Sequence, residues 1–141
     1  MKKIITILLM TLTVVVYGQE KCDESTVKFD VEITGFRNYE GKVLVQIFNE
    51  KKEVKKELIA EFENKKCTFT VEGLKKGTYA VRYFHDENGD KEMGTNFMGI
   101  PKEGYGFSNN ATAYFGPPDF KEWLFPLNED KVLNLKISYL L

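Results

Sequence analysis

Side chains able to do chemistry concentrate in one stretch of this chain, from His85 to Asn110. Asp86-Glu87-Asn88-Gly89-Asp90 sets carboxylate and amide oxygens at alternate positions of a glycine-containing loop. Hard cations take several such oxygens from one flexible turn, which makes Asp86, Asn88 and Asp90 candidate calcium ligands. The pattern departs from an EF-hand loop, since Lys91 stands at the sixth position where glycine is needed, and Phe97 at the twelfth in place of a bidentate glutamate. A plain turn accounts for the same residues: Asn88-Gly89 supplies left-handed backbone and Asp86 bonds its own loop.

His85 is the single histidine and lies beside a carboxylate. A hydrolase centred on it needs a nucleophile and an orienting acid, for which Ser108, Asp86 and Glu103 are available. No nucleophile elbow and no second histidine accompany them. Paired-carboxylate chemistry through Asp86, Asp90 or Glu103 competes with three acids on an ordinary polar loop. No catalytic residue is assigned, and the expectation is a non-catalytic protein.

The segment from Gly99 to Asn110 mixes glycines with Ile100, Tyr105 and Phe107, and Phe97 and Met98 precede it. Such apolar mass can staple an Ω-like loop onto a sheet. It can also form a binding platform, with Tyr105, Tyr114 and Trp123 as stacking faces and Asn109 and Asn110 as amides, a combination suited to a glycan, a peptide or another small ligand. The candidate binding set is His85, Asp86, Asn88, Glu103, Tyr105, Ser108, Asn109 and Asn110, where the loop 85–90 meets the loop 104–110. A calcium-stabilised structural scaffold is the alternative, and no other cofactor is implied.

The elements that must position these residues are strands. Val27, Phe29, Val31 and Ile33 alternate with Lys28, Asp30, Glu32 and Thr34, the period of a half-buried strand. Lys42 to Phe48 puts Val43, Val45 and Ile47 on one face, yet Leu44 and Phe48 add apolar residues to the other, as in a central strand. Shorter strands are predicted over Leu58 to Phe62 and Thr68 to Val71, and Gly73 to Gly77 reads as a tight turn into a strand from Thr78 to Phe84. Pro126 confines Trp123 to Leu127 to a sheet edge, and Val132 to Leu140 alternates again. Lys51, Lys52, Lys55 and Lys56 are interleaved with Glu50, Glu53 and Glu57, the composition of a solvated loop. About seven short strands without an amphipathic helix predict an all-β fold, a two-sheet immunoglobulin-like or prealbumin-like sandwich with one long ordered loop.

Lys2 and Lys3 followed by the apolar run from Ile4 to Val16 predict a signal peptide over 1–18, cleaved before Gln19. The run falls short of the roughly 20 residues a spanning helix needs. The expected mature protein is a single domain over 19–141, periplasmic or secreted, without membrane insertion. Loss of Lys2 and Lys3 takes the formal charge from −1 to −3, which gives no reason to expect nucleic acid as a partner. Cys22 and Cys67 both survive cleavage, and in an oxidising compartment an even count favours a disulfide.

Several segments carry a resemblance. Gly73-Leu74 with Gly77 to Val81, His85 to Gly89, Thr95-Asn96, Gly99 to Asn110 and Phe115 to Pro118 together resemble an exported bacterial family known as domain of unknown function 2141. The family's loop reads Asp-Glu-Asn-Gly-Asn-Gly-Lys; here Lys91 replaces the second glycine and Gly94 a later aspartate, which removes one oxygen ligand. The resemblance implies export and an immunoglobulin-like or transthyretin-like sandwich. It implies no reaction.

Overall fold

The computed structural model describes residues 25–112 and 114–141. Its first sheet forms because strand β1 (Thr26–Thr34) buries every second side chain from Val27 to Ile33. Around it lie β4 (Phe62–Glu63), β5 (Lys66–Lys75) and β9 (Lys131–Lys136), in the order β4-β5-β1-β9. β1 is antiparallel to β5 and parallel to β9, with Ile33 opposite both Cys67 and Leu135. The second sheet is antiparallel and runs β3 (Val54–Ala60), β2 (Lys42–Asn49), β6 (Gly77–Asp86), β7 (Tyr105–Phe107), while β8 (Phe125–Leu127) shares the β7 edge of β6. The two sheets stack face to face without closing into a barrel, so the all-β sandwich expected from the alternation is the fold observed.

The core between them holds Phe29, Val31 and Ile33 against Val43, Val45, Ile47, Val81 and Tyr83, with Phe29 meeting Phe125 edge-on at 5.5 Å. The Tyr83 hydroxyl crosses the sandwich to donate to the Lys136 carbonyl at 2.8 Å, so the sheets are joined by a hydrogen bond as well as by apolar contact. Beyond Tyr83 the strand partner is Gly106, and a Cβ there would lie 2.3 Å from the Tyr83 ring and hydroxyl. Only glycine admits the ring at that point.

Three elements differ from the sequence expectation. Lys55, Lys56 and Glu57 belong to β3 and not to a loop; they lie on a sheet edge, where lysines discourage pairing with another chain. The expected turn at Gly73 is a β-bulge: Val27 faces Leu74 but Phe29 faces Val71, and Gly73 takes φ +70° to admit the extra residue. Only Lys76 then separates β5 from β6, and the chain changes sheets there. Finally, β7 lies inside the segment expected to be irregular throughout.

The expected disulfide is not formed in this structure. Cys67 is a free thiol, fully buried on the inner face of β5, and burial pushes its pKa up to about 12. Cys22 and the predicted signal peptide lie outside the described residues.

Replacing Gly106 with alanine forces Tyr83 out of its place between the sheets. Chemical denaturation of Gly106→Ala should show a loss of about 3 kcal/mol, at the upper end of overpacking costs because the ring is tethered at its hydroxyl; a loss within error of zero would mean that the ring relaxes freely.

Candidate functional site

The predicted residues fall into two groups at opposite ends of β7. At one end, His85 is fully buried on the inner face of β6, edge-on to Phe36 and Phe62. A carbonyl only accepts, so Nε2 carries a proton and donates to Glu40 O at 2.6 Å, while Nδ1 meets the Tyr139 hydroxyl at 3.0 Å. Burial raises the Tyr139 phenol pKa. The Arg37 guanidinium stacks 4.6 Å from the Tyr139 ring and donates to Glu87 Oε1 and Lys102 O, each at 2.9 Å. Both ring nitrogens of His85 are therefore engaged within the fold.

Beside it are two buried carboxylates, and both accept from the backbone of the long excursion between β6 and β7, residues 87–104. Asp86 takes the amides of Gly89 (2.8 Å, Oδ1) and Lys91 (3.0 Å, Oδ2). Glu103 takes those of Glu87 (3.0 Å, Oε1) and Gly94 (3.1 Å, Oε2). Asn88 Oδ1 and Asp90 Oδ1 likewise accept from the amides of Asp90 and Glu92. The oxygens proposed for calcium thus cap their own loop. Among the described residues no cluster of three His, Cys, Asp or Glu side chains is placed to hold a metal ion.

At the other end, Ser108 is buried, and its Oγ accepts from Val81 N at 2.9 Å and donates to Trp123 O. Asn109 donates to the carbonyls of Glu122 and Leu124 at 3.1 and 2.9 Å. Asn110 pairs with the open edge of β9, donating to Asn134 O at 3.2 Å and accepting from Lys136 N at 2.8 Å. It stands in for a missing strand and ties the two sheets together. Val81 and His85 are four positions apart on β6, roughly 13 Å at strand spacing, so Ser108 and His85 do not form a nucleophile–base pair.

Of the eight candidates, Tyr105 lines the main groove of the described residues. This groove, of about 1470 Å³, lies on the outer face of the second sheet. The β pairings place Ile59, Leu44, Phe84 and Tyr105 in one row across β3, β2, β6 and β7. Glu57, Gln46, Arg82 and Phe107 form the adjacent row, where Gln46 Nε2 donates to Glu57 Oε1 at 2.5 Å and Arg82 Nε donates to Gln46 Oε1 at 3.1 Å. Met93, Met98, Ile100 and Pro101 contribute one wall, and Tyr114, Phe115 and Pro117 another. Burial raises the Tyr105 phenol pKa.

The wall is held up by Asn96 and by two of the predicted residues, Asp86 and Glu103. Asn96 Oδ1 accepts from Met98 N and Ile100 N at 2.9 and 3.0 Å, and Lys102 N closes the loop on Gly94 O at 2.8 Å. Glu103 anchors that base through Gly94. Asp86 fixes the backbone of Lys91, whose side chain reaches the groove rim. Hence Asp86 and Glu103 position the groove and Tyr105 lines it. Its floor, Leu44, Arg82, Phe84 and Ile59, was missed because its members are far apart in the chain; the doubled apolar character of the Lys42 to Phe48 strand was the signal that could have revealed it.

Residues 31–134, from within β1 to within β9, match a family model described as "Uncharacterized protein conserved in bacteria (DUF2141)". No curated protein and no solved structure matches the chain.

Removing the Glu103 carboxylate orphans two part-buried amides, those of Glu87 and Gly94. Glu103→Ala should lower stability by about 3 kcal/mol, given 1–3 kcal/mol for each unsatisfied buried group, as read by denaturant titration. Thermal melts of the native protein in calcium and in EDTA should coincide, because both Asp86 oxygens are occupied; a calcium-dependent rise of several degrees would show that the loop reopens around an ion.

Proposed function

We propose that this chain, which belongs to the bacterial family of uncharacterised proteins DUF2141, is a non-catalytic binding module that holds an elongated apolar ligand in the groove on its second sheet. One observation carries the proposal. The outer face of this sheet carries an apolar row across four strands, Ile59, Leu44, Phe84 and Tyr105, yet the described residues cover only part of it. Phe48, Ala80, Tyr105, Phe107 and Trp123 pack into a second core under the excursion and the segment that follows it. Leu44 and Phe84 are left half-buried and Ile59 half-exposed. Around them Met98, Tyr114 (80 % exposed) and Phe115 (fully exposed) stand free of any cover. A contiguous concave apolar surface rimmed by aromatics is the usual form of a ligand site.

The ligand class follows from what the surface lacks. The row Ile59–Leu44–Phe84 offers no side-chain hydrogen-bond partner, so a glycan's hydroxyls or a peptide's amides would be desolvated against it without compensation. Hydrocarbon incurs no such cost. The non-catalytic part of the proposal is supported by the commitment of His85, Asp86, Glu103 and Ser108 to bonds that hold the fold.

The mature chain should bind the neutral fluorophore N-phenyl-1-naphthylamine saturably. Leu44→Lys, which places a charge on the groove floor at a position that tolerates solvent, should weaken binding tenfold or more while the melting temperature moves by only a few degrees. No saturable signal, or equal binding by the variant, would overturn the proposal.

The same proposal places the protein outside the cytoplasm. The basic and apolar residues up to Val16 support it, and no described helix is long and apolar enough to cross a membrane. N-terminal sequencing of the protein recovered from periplasm or medium should begin at Gln19, whereas an intact Met1 would refute cleavage.

A further inference from the structure

We infer that the groove takes an anionic amphiphile, a single acyl-type chain ending in a carboxylate or a comparable oxyanion; this rests on the apolar-ligand reading above and adds the charged end. Arg82 and Phe84 are two residues apart on the outer face of β6, so a cation and an aromatic ring lie about 7 Å apart on one continuous floor. The apolar row extends from Phe84 through Leu44 to Ile59 on one side and to Tyr105 on the other. Four strands span about 14 Å, which suits a medium-length acyl chain lying across them.

Arg82 is exposed, although it sits on the floor. Its Nε and Nη2 both donate to one neutral acceptor, Gln46 Oε1, and its guanidinium lies 5.5 Å from the Phe48 ring centroid. A guanidinium has five N–H donors in a planar fork that matches a carboxylate. Among the described residues no carboxylate pairs with it. Glu57, the only acid lining the groove among the described residues, is instead held by the Gln46 amide, so Gln46 stands between the two charges. The second cation at the groove, Lys91, also has no ion pair among the described residues. Its backbone is fixed by Asp86, and its side chain lies at the groove rim. Among the described residues, two cations against one screened carboxylate line this groove, in a chain whose formal charge is −1. The local sign opposes that of the whole molecule, and a largely apolar surround strengthens the attraction for an anion.

A neutral hydrocarbon would use the floor and leave both cations idle. A phosphate or carboxylate alone would use the cations and leave the apolar row and its aromatic walls exposed. An amphiphile with its head at Arg82 and Lys91 and its tail across Phe84 and Leu44 uses both.

The test is displacement of N-phenyl-1-naphthylamine from the mature protein by decanoate and by decanol, which share a tail and differ in head. Decanoate should bind about 10- to 100-fold more tightly than decanol, the range expected of a charge-assisted hydrogen-bonded pair. Arg82→Gln should abolish that difference by weakening decanoate alone, Lys91→Asn should reduce it, and added salt should erode it. Unchanged decanol binding in both variants shows that the groove is intact. Equal binding of the two ligands by the native protein, or equal losses for both in Arg82→Gln, would overturn the anionic head and leave the apolar groove standing. Binding of neither, while the fluorophore still binds, would overturn the amphiphile altogether. Failure of the fluorophore itself would remove the groove reading and this inference with it.

Discussion

Four backbone amides donating to two buried carboxylates shape the outer half of this molecule. Asp86 and Glu103 lie on either side of the excursion and together accept from Glu87, Gly89, Lys91 and Gly94. Each bond to an ionised acceptor contributes roughly 1.5–3 kcal/mol when made, and leaving the carboxylates buried without them would be costly. The excursion therefore has one arrangement, and the groove wall it builds inherits that rigidity.

The need for such a wall arises from the asymmetry between the two sheets. The first alternates cleanly, with Lys28, Asp30, Glu32 and Thr70 facing water on the outside, tied by the Thr70 hydroxyl to Asp30 and by Lys66 to Glu32. An antiparallel sheet can remain wet on such a face. The second sheet carries apolar side chains on both faces and is covered on each: on one by the first sheet and on the other by the aromatic cluster of Phe48, Phe107, Phe120 and Trp123, whose rings pack edge to face. That outer cover ends at the Arg82–Gln46–Glu57 row. What is left beyond it is the groove.

The candidate site was partly legible in the chain. Asp86, Glu103 and Tyr105 were singled out for residue type and for their place in an unusually long connection, and all three bear on the groove, two by holding its wall and one by lining it. His85, Ser108, Asn109 and Asn110 were singled out on the same grounds, and each is engaged in hydrogen bonds that hold the fold. Polar side chains able to bind a ligand are equally able to bind backbone. Which they do depends on whether an unpaired amide or carbonyl lies within reach, and spacing along the chain does not carry that information. Asn110 shows this most clearly, since its partners at Asn134 and Lys136 belong to the opposite sheet.

Alternation by itself determined the all-β class, the inward faces of β1, β2 and β6, and the edge position of the Pro126 strand, because the two-residue period and the missing proline donor are local properties of the backbone. The tertiary structure alone decided the rest. The first half of the edge strand β3 was hidden by its charges, and the three-residue β7 is too short to show a period; the pairing of each with a neighbour makes it a strand. Cys67 faces the core because of its register opposite Ile33. The groove floor is assembled from four strands spanning residues 44 to 107, so no window of sequence contains it. A face common to several strands comes into being only when their register is set, and register is a relation between segments.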